Sequence, residues 1–218
     1  MIMNAMAIGK RRVMQVLLPV STLVVFSTAV EAQASTGGST RITAISGALV
    51  HGSAVVVDPQ GISDTRLSAG PTFGLDIQNS MFSFGSIYAT VAGSSSTLEH
   101  GANLSVSAGP GSSAATVILG TAGLVIETDW FAALRPTLRL GGGVKAYSFS
   151  TNGASSSVAL TGDIGAGFRG GSGVFEVAGE VRFLPSAFDQ AKIPLRGFSP
   201  QDQSQSDLLF TIGVTIRP

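Results

Sequence analysis

Charged side chains stand at alternate positions in one stretch of the chain. In "VFEVAGEVRFL", which covers residues 174–184, Glu176, Glu180 and Arg182 alternate with valine and phenylalanine. Side chains of a β-strand point alternately to its two faces, so this stretch predicts a strand with one apolar face and one charged face. Carboxylates and guanidinium groups that share a face can form ion pairs with neighbouring strands. The rest of the chain must show what each face contacts.

The stretch "GAGFRG", Gly165–Gly170, has the G-x-G-x-x-G spacing of dinucleotide-binding loops. That loop requires a strand before the glycines and a helix after them, whereas here the glycines lie inside an alternating segment. Small residues that face a narrow interior explain these glycines better. We therefore predict no cofactor.

Histidine, serine and cysteine give little sign of catalysis or metal binding. His51 and His100 are the two histidines, and neither has carboxylates at a ligand-like spacing. They would form a metal site or supply a base only if the loops near them converged, and we interpret them as exposed residues beside loops. No serine lies in a nucleophile elbow, and the chain has no cysteine. The sequence therefore predicts no catalytic residue and no metal site, and we expect no enzyme.

The N-terminal segment has the features of an export signal. Basic residues at positions 10–12 precede an apolar run, and small residues follow it in "VEAQAS". Cleavage after Ala32 or after Ala34 fits equally well. An uncleaved membrane anchor is the alternative, but the run is shorter than the roughly 20 apolar residues of a spanning helix. We expect a signal peptide over residues 1–34 and one mature domain over residues 35–218.

The composition of the chain is unusual for a soluble domain. Charged residues make up 12 % of it, whereas ordinary soluble domains have about 25 %. Past residue 35 no stretch approaches the roughly 18 apolar residues of a transmembrane helix, and a closed β-barrel is the other structure that can span lipid. The formal net charge is zero and no basic cluster follows residue 12, which argues against a nucleic-acid partner.

Alternation with a period of two predicts eight strands. They cover residues 41–52, 65–77, 80–92, 114–128, 134–149, 157–169, 174–184 and 206–217. The second, fourth and sixth links ("QNS", "DWFAA" and "GGSG") are short, whereas the other links are longer and rich in serine or proline. Residues 93–113 leave two possibilities, because "ANLSVSAG" also alternates and could form a loop hairpin or replace the fourth strand.

Short turns at one end and long loops at the other are typical of outer-membrane barrels. Over residues 41–218 the chain resembles the small bacterial outer-membrane β-barrel proteins, that is, the opacity-protein and OmpA-type transmembrane domains. The resemblance rests on the strand pattern, on "EVRFLPSAF" before a long last loop, and on the closing "DLLFTIGVTIR". It implies an all-β fold: an eight-stranded antiparallel up-and-down transmembrane β-barrel with short periplasmic turns and longer outer loops, behind the signal peptide. It also implies the Gram-negative outer membrane as location, with the membrane lipid and the barrel-insertion machinery as partners.

The charged face would line the interior of such a barrel. An arginine or lysine at mid-bilayer costs roughly 2 to 4 kcal/mol, so the opposite orientation is unfavourable. An eight-stranded barrel has room inside only for side chains, and buried charges require partners. We therefore expect a paired charge network in the lumen and no channel. Its predicted members are Arg135, Arg139, Lys145, Asp163, Glu176, Glu180 and Arg182.

The alternative is a soluble exported β-barrel or sandwich that holds a lipophilic ligand in an apolar interior. It inverts both faces of every strand, because the charges would then face solvent. We favour a non-enzymatic outer-membrane protein with a structural role or a surface-contact role. In the second case an extracellular ligand would bind at the outer loops.

Overall fold

The part of the chain that the structure describes consists of ten β-strands and their ends. The computed structural model describes residues 39–52, 56–57, 64–82, 84–99, 112–128, 134–150, 156–172, 174–189 and 202–217. The strands are β1 (Thr40–His51), β2 (Val56–Val57), β3 (Asp64–Leu67), β4 (Gly70–Phe82), β5 (Gly85–Glu99), β6 (Ser112–Glu127), β7 (Leu134–Phe149), β8 (Ser157–Ser172), β9 (Phe175–Asp189) and β10 (Asp202–Ile216). None of these residues belongs to a helix long and apolar enough to cross a membrane. The predicted signal peptide lies outside the described residues.

Eight of these strands form a closed antiparallel barrel. In the order β1, β4, β5, β6, β7, β8, β9 and β10 each strand pairs with the next, and β10 pairs with β1. The closing pair runs from Ile42 opposite Ile216 to His51 opposite Asp207. Consecutive strands lie side by side around the ring, so the predicted eight-stranded up-and-down topology is confirmed.

The predicted second strand is interrupted. It consists of β3 and β4, which are separated by Ser68 and Ala69. Ser68 still contacts β5, because its backbone N–H donates to the carbonyl of Thr97 and its hydroxyl accepts the Thr97 N–H, at 2.8 and 2.9 Å. β3 pairs with the far end of β5, and β2 pairs with β3. The sheet therefore extends past the ring at the long-loop end.

Short and long links alternate as the sequence predicts. The links from β4 to β5, from β6 to β7 and from β8 to β9 are short, and the other links between barrel strands are longer. The prediction of a turn at residues 78–80 is wrong, because β4 continues to Phe82 and β5 begins at Gly85. Gln78 is an inward-facing strand residue whose amide donates to the carboxylate of Asp76 at 2.8 Å.

The structure shows part of what residues 93–113 form, for which the sequence left a loop hairpin or a replacement of the fourth strand. β5 lengthens to Glu99, and β6 begins at Ser112 and pairs with β5 on one side and β7 on the other. The fourth predicted strand therefore keeps its place in the barrel. The stretch "ANLSVSAG" itself lies outside the described residues.

The outer face of the barrel is apolar. Leu160, Val158 and Ile212 expose 80, 69 and 68 % of their surface, and in β10 the outward positions from Leu208 to Ile216 carry only Leu, Phe, Ile and Val. In water such residues would be buried, whereas a belt of them around a closed barrel is the surface of a transmembrane barrel. The soluble alternative, which requires charges outside and an apolar interior, is therefore excluded.

The inner face carries the polar and charged side chains. Arg139, Lys145, Asp163 and Arg182 are all buried inside the ring. Leu209, an apolar residue on the otherwise polar side of its strand, also points inward and is completely buried. The interior is therefore not uniformly polar.

We expect a charge on the outer belt to destabilise the barrel according to its depth. Leu140 lies near the middle of β7 and exposes 64 % of its surface, and Leu134 is the first residue of the same strand. Leu140→Arg should lower the free energy of unfolding by roughly 2 to 4 kcal/mol, whereas Leu134→Arg should cost at most roughly 1 kcal/mol. Equilibrium urea unfolding in lipid vesicles measures both. Equal costs at the two positions would contradict a lipid-facing belt.

Candidate functional site

The candidate site is a network of ion pairs inside the barrel, and inner-face glycines make room for it. Gly123 and Gly141 lie beside Tyr88, whose hydroxyl would be only 2.2 Å from a Cβ placed on Gly141. The Tyr88 ring therefore lies against the wall of β6 and β7. The guanidinium carbon of Arg139 stands 4.0 Å from the centre of that ring, in cation–π contact.

Arg139 binds two carboxylates in the middle of the barrel. It contacts Asp76 of β4 at 2.8 Å and Glu180 of β9 at 3.0 Å. Asp76 also accepts a hydrogen bond from Thr90, at 2.6 Å, and one from Gln78. Arg139 thus joins strands on opposite sides of the lumen, and Asp76 has partners for both oxygens.

Arg182 binds the other carboxylate of this middle layer. Its guanidinium group donates through two nitrogens to both oxygens of Asp163, a bidentate arrangement, and it also donates to the hydroxyl of Thr121 at 2.6 Å. Tyr88 donates to Asp163 at 2.6 Å. Bidentate arginine–carboxylate pairs combine charge with fixed geometry, so this pair joins β9 to its neighbour β8, and the hydrogen bonds with Tyr88 and Thr121 connect it to β5 and β6.

A second group of charges fills the short-turn end of the barrel. Glu127 contacts Arg41 at 2.5 Å and Arg169 at 2.8 Å, and Glu176 contacts Arg135 and Arg217. Arg169 also donates to the side-chain carbonyl of Gln78 at 2.9 Å, which links this group to the middle layer. We call it the mouth cluster. Its members are Arg41, Glu127, Arg135, Arg169, Glu176 and Arg217.

Lys145, nearer the long loops, is completely buried. Its ammonium group donates to Asp207 at 2.7 Å and to the carbonyl of Leu184 at 2.9 Å. The other oxygen of Asp207 lies 3.1 Å from Nδ1 of His51, whose Nε2 lies 3.3 Å from the hydroxyl of Ser96. His51 reaches Ser96 across β4, where Gly70 leaves the space open: a Cβ there would lie 2.7 Å from the Ser96 hydroxyl.

The prediction that His51 is exposed is wrong, because its side chain is 0 % exposed. Its contacts with Ser96 and Asp207 have the order of a serine-hydrolase triad. Yet Asp207 is also bound by Lys145, and Ser96 is buried as well. We interpret this chain of hydrogen bonds as part of the packed interior. His100 lies outside the described residues.

An apolar layer surrounds these groups at the long-loop end. The inward residues there form one buried cluster: Leu49, Leu67, Leu98, Ala115, Val117, Leu119, Tyr147, Phe149, Ala159, Leu184 and Leu209. Deeper inside, a cavity of about 10 Å³ lies between Asp76, Arg139, Arg169 and Glu180, and it has room for at most one water molecule. Side chains therefore fill the lumen from both ends.

The structure places all seven residues of the predicted network on the inner face of the barrel. It brings six of them together in pairs: Arg135 with Glu176, Arg139 with Glu180, and Arg182 with Asp163. Lys145 stands apart from those pairs and binds Asp207 instead.

Sequence reasoning missed about half of the network. The missed members are Arg41, His51, Asp76, Glu127, Arg169, Asp207 and Arg217. The alternation carried this signal for Asp76, Arg169, Asp207 and Arg217, which lie on the polar sides of their strands. It carried none for Glu127, because the inward side of β6 is mostly apolar. Across the described ranges, no three His, Cys, Asp or Glu side chains are grouped so that they could hold a metal ion.

Comparison with known proteins identifies the fold. No protein family matches the sequence, and no curated protein does. The structure is similar to Neisserial surface protein A, NspA, with a TM-score of 0.51 and 10 % identity, over 82 % of this chain and 97 % of that one. It is also similar to the outer membrane protein OprG from Pseudomonas aeruginosa, with a TM-score of 0.53 and 12 % identity, over 83 % and 96 %. The resemblance to small outer-membrane β-barrels is thereby confirmed at the level of the fold.

Removing one partner of a buried pair should destabilise the barrel strongly. Asp163→Ala leaves Arg182 without its carboxylate, and we expect the free energy of unfolding to fall by about 3 to 5 kcal/mol. Glu99→Gln, at an exposed position at the end of β5, should change it by no more than about 0.5 kcal/mol. Urea unfolding of both variants in one detergent is the measurement. If Asp163→Ala lowered the free energy of unfolding as little as Glu99→Gln, water would have access to the Arg182–Asp163 pair.

Proposed function

We propose that the chain is a non-enzymatic, integral protein of the bacterial outer membrane whose lumen is closed by ion pairs. The observation that carries the proposal is the division of the faces: charged side chains point into a narrow ring, and apolar side chains point away from it. Lipid outside and paired charges inside are what this division requires. The predicted signal peptide would take the chain out of the cytoplasm, and the barrel-insertion machinery would place it.

A closed lumen supports a structural or surface-contact role over a transport role. The Arg139 and Arg182 groups cross the middle of the barrel, and the apolar layer fills its long-loop end. No water path is expected to pass both layers, because an eight-stranded barrel holds little beyond its own side chains. The activity of the molecule then lies outside its lumen.

The long-loop end is the place for surface contact. β5 and β6 extend there beyond the apolar belt, and the outward side chains of β5 change from Val91 to Ser95, Thr97 and Glu99. The links at this end are rich in serine, a composition suited to water and to polar ligands. We propose that this end meets the extracellular medium and that any ligand of the protein binds there.

Planar-bilayer recording tests the closed lumen. We expect the purified protein to give no large, steady conductance under conditions in which a porin does, because the arginine pairs and the apolar layer block the lumen. Steady channels from the wild type would show that side chains do not fill the interior, and the proposed role would then fail.

Cell fractionation tests the location. We expect the folded chain to sediment with the outer membrane and to change its gel mobility on heating, because closed barrels resist detergent until they are boiled. An inactive-signal variant, with residues 10–12 changed to glutamine, should remain in the cytoplasm. Recovery of the wild type as a soluble periplasmic protein would contradict the proposal.

A further inference from the structure

The mouth cluster contains more positive groups than carboxylates. Among the described residues its four guanidinium groups share two carboxylates. Each carboxylate is already divided between three arginines: Glu127 contacts Arg41, Arg135 and Arg169. Glu176 likewise contacts Arg135 and Arg217, with Arg41 at 4.0 Å. Two positive charges of the cluster are therefore not balanced within it.

The middle layer removes only part of this surplus. It has one carboxylate more than it has arginines, but all of its carboxylates are bound. Asp76 and Glu180 both contact Arg139, and Asp163 is held by Arg182. The two layers together still have six arginines and five carboxylates, and the surplus lies at the mouth.

Several donors of the mouth cluster have no acceptor. The Nε atoms of Arg41, Arg169 and Arg217 are buried and make no hydrogen bond. The side chains of Arg41 and Arg169 are 10 and 2 % exposed, so these are buried donors and not surface groups. One oxygen of Glu176 also lacks a hydrogen bond, and it lies 4.0 Å from Nε of Arg41. Buried donors without acceptors are costly, which favours an anion in their midst.

The cluster can be reached from the short-turn end. The side chains of Arg217 and Arg135 are 33 and 22 % exposed, whereas Arg169 and Gln78 close the inner side by their hydrogen bond at 2.9 Å. A small ligand could therefore bind at the mouth without crossing the lumen. Arg135 and Arg217, the partly exposed arginines, would contact this ligand first.

We propose that the mouth cluster is a binding site for a phosphate-type oxyanion. Planar guanidinium groups bind phosphate through paired N–H donors, and an anion would compensate the positive surplus of the mouth cluster. The phosphate is either free inorganic phosphate or the headgroup of a lipid beside the barrel end, since both present the same oxygens. The site is independent of the role proposed for the long-loop end, and its failure would leave the closed lumen untouched.

Denaturation of the full chain in zwitterionic detergent measures free phosphate binding. At constant ionic strength, sodium phosphate should raise the urea midpoint of the wild type with a saturable dependence, because a ligand that binds only the folded state stabilises it. The double variant Arg135→Gln/Arg217→Gln should bind about tenfold more weakly or worse, since it loses charge-assisted hydrogen bonds. Both positions are partly exposed, so this variant is expected to fold. Arg66→Gln, an exposed arginine of β3 at the opposite end, removes charge elsewhere and should bind like the wild type.

Binding measurements in lipid vesicles distinguish free inorganic phosphate from a lipid headgroup as the ligand. In phosphatidylcholine vesicles inorganic phosphate should bind as it does in detergent, and adding phosphatidylglycerol should weaken its apparent affinity if anionic headgroups reach the site. An unchanged affinity assigns the site to free phosphate. The proposal is overturned if sodium chloride at the same ionic strength gives the same midpoint shift, or if the double variant binds phosphate as tightly as the wild type does.

Discussion

The pairing of β1 with β10 is the contact on which the rest of the barrel depends. Without it two strands would turn a row of unpaired N–H and C=O groups to lipid, where no water can satisfy them. Closing the ring at eight strands also fixes a narrow interior. Alternate residues of every barrel strand are then committed to that interior, so polar side chains must find partners there and apolar ones must face outward.

Packing and electrostatics act together in this interior. The longest inward side chains lie beside glycine: a Cβ on Gly165 would stand 2.9 Å from Cγ of Arg182, and one on Gly123 would stand 2.9 Å from the ring of Tyr88. Glycine weakens a strand because it has no side chain to pack. Here that weakness is offset by ion pairs which the missing side chains admit. The "GAGFRG" spacing has this structural cause, since Gly165 and Gly167 both face the lumen.

The alternation of the sequence was enough to predict which face each residue takes but not which residue it meets. The alternation along their strands places Arg182 and Lys145 inside the barrel. Their partners depend on the stagger between strands, which puts Arg182 beside Asp163 of the adjacent β8 and Lys145 against Asp207 of the distant β10. His51 is buried because it pairs opposite Asp207 at the last rung of the closing strands, a contact that no local pattern contains. Gln78 was assigned to a turn because the run of residues 78–80 is polar. Polar residues are also favourable in a strand when they face a polar lumen, as Gln78 does.

The two ends of the lumen differ, and this difference gives the closed barrel a direction. At the long-loop end Leu49, Leu98 and Leu209 form an apolar layer that excludes water from Lys145 and Asp207, so the charges there must balance among themselves. At the short-turn end no such layer covers Arg135 and Arg217 within the part of the chain that the structure describes, and both remain partly exposed. Charge can therefore remain unbalanced only at the short-turn end, where solvent or an anion can compensate it. The position of the arginine surplus follows from the position of the apolar layer.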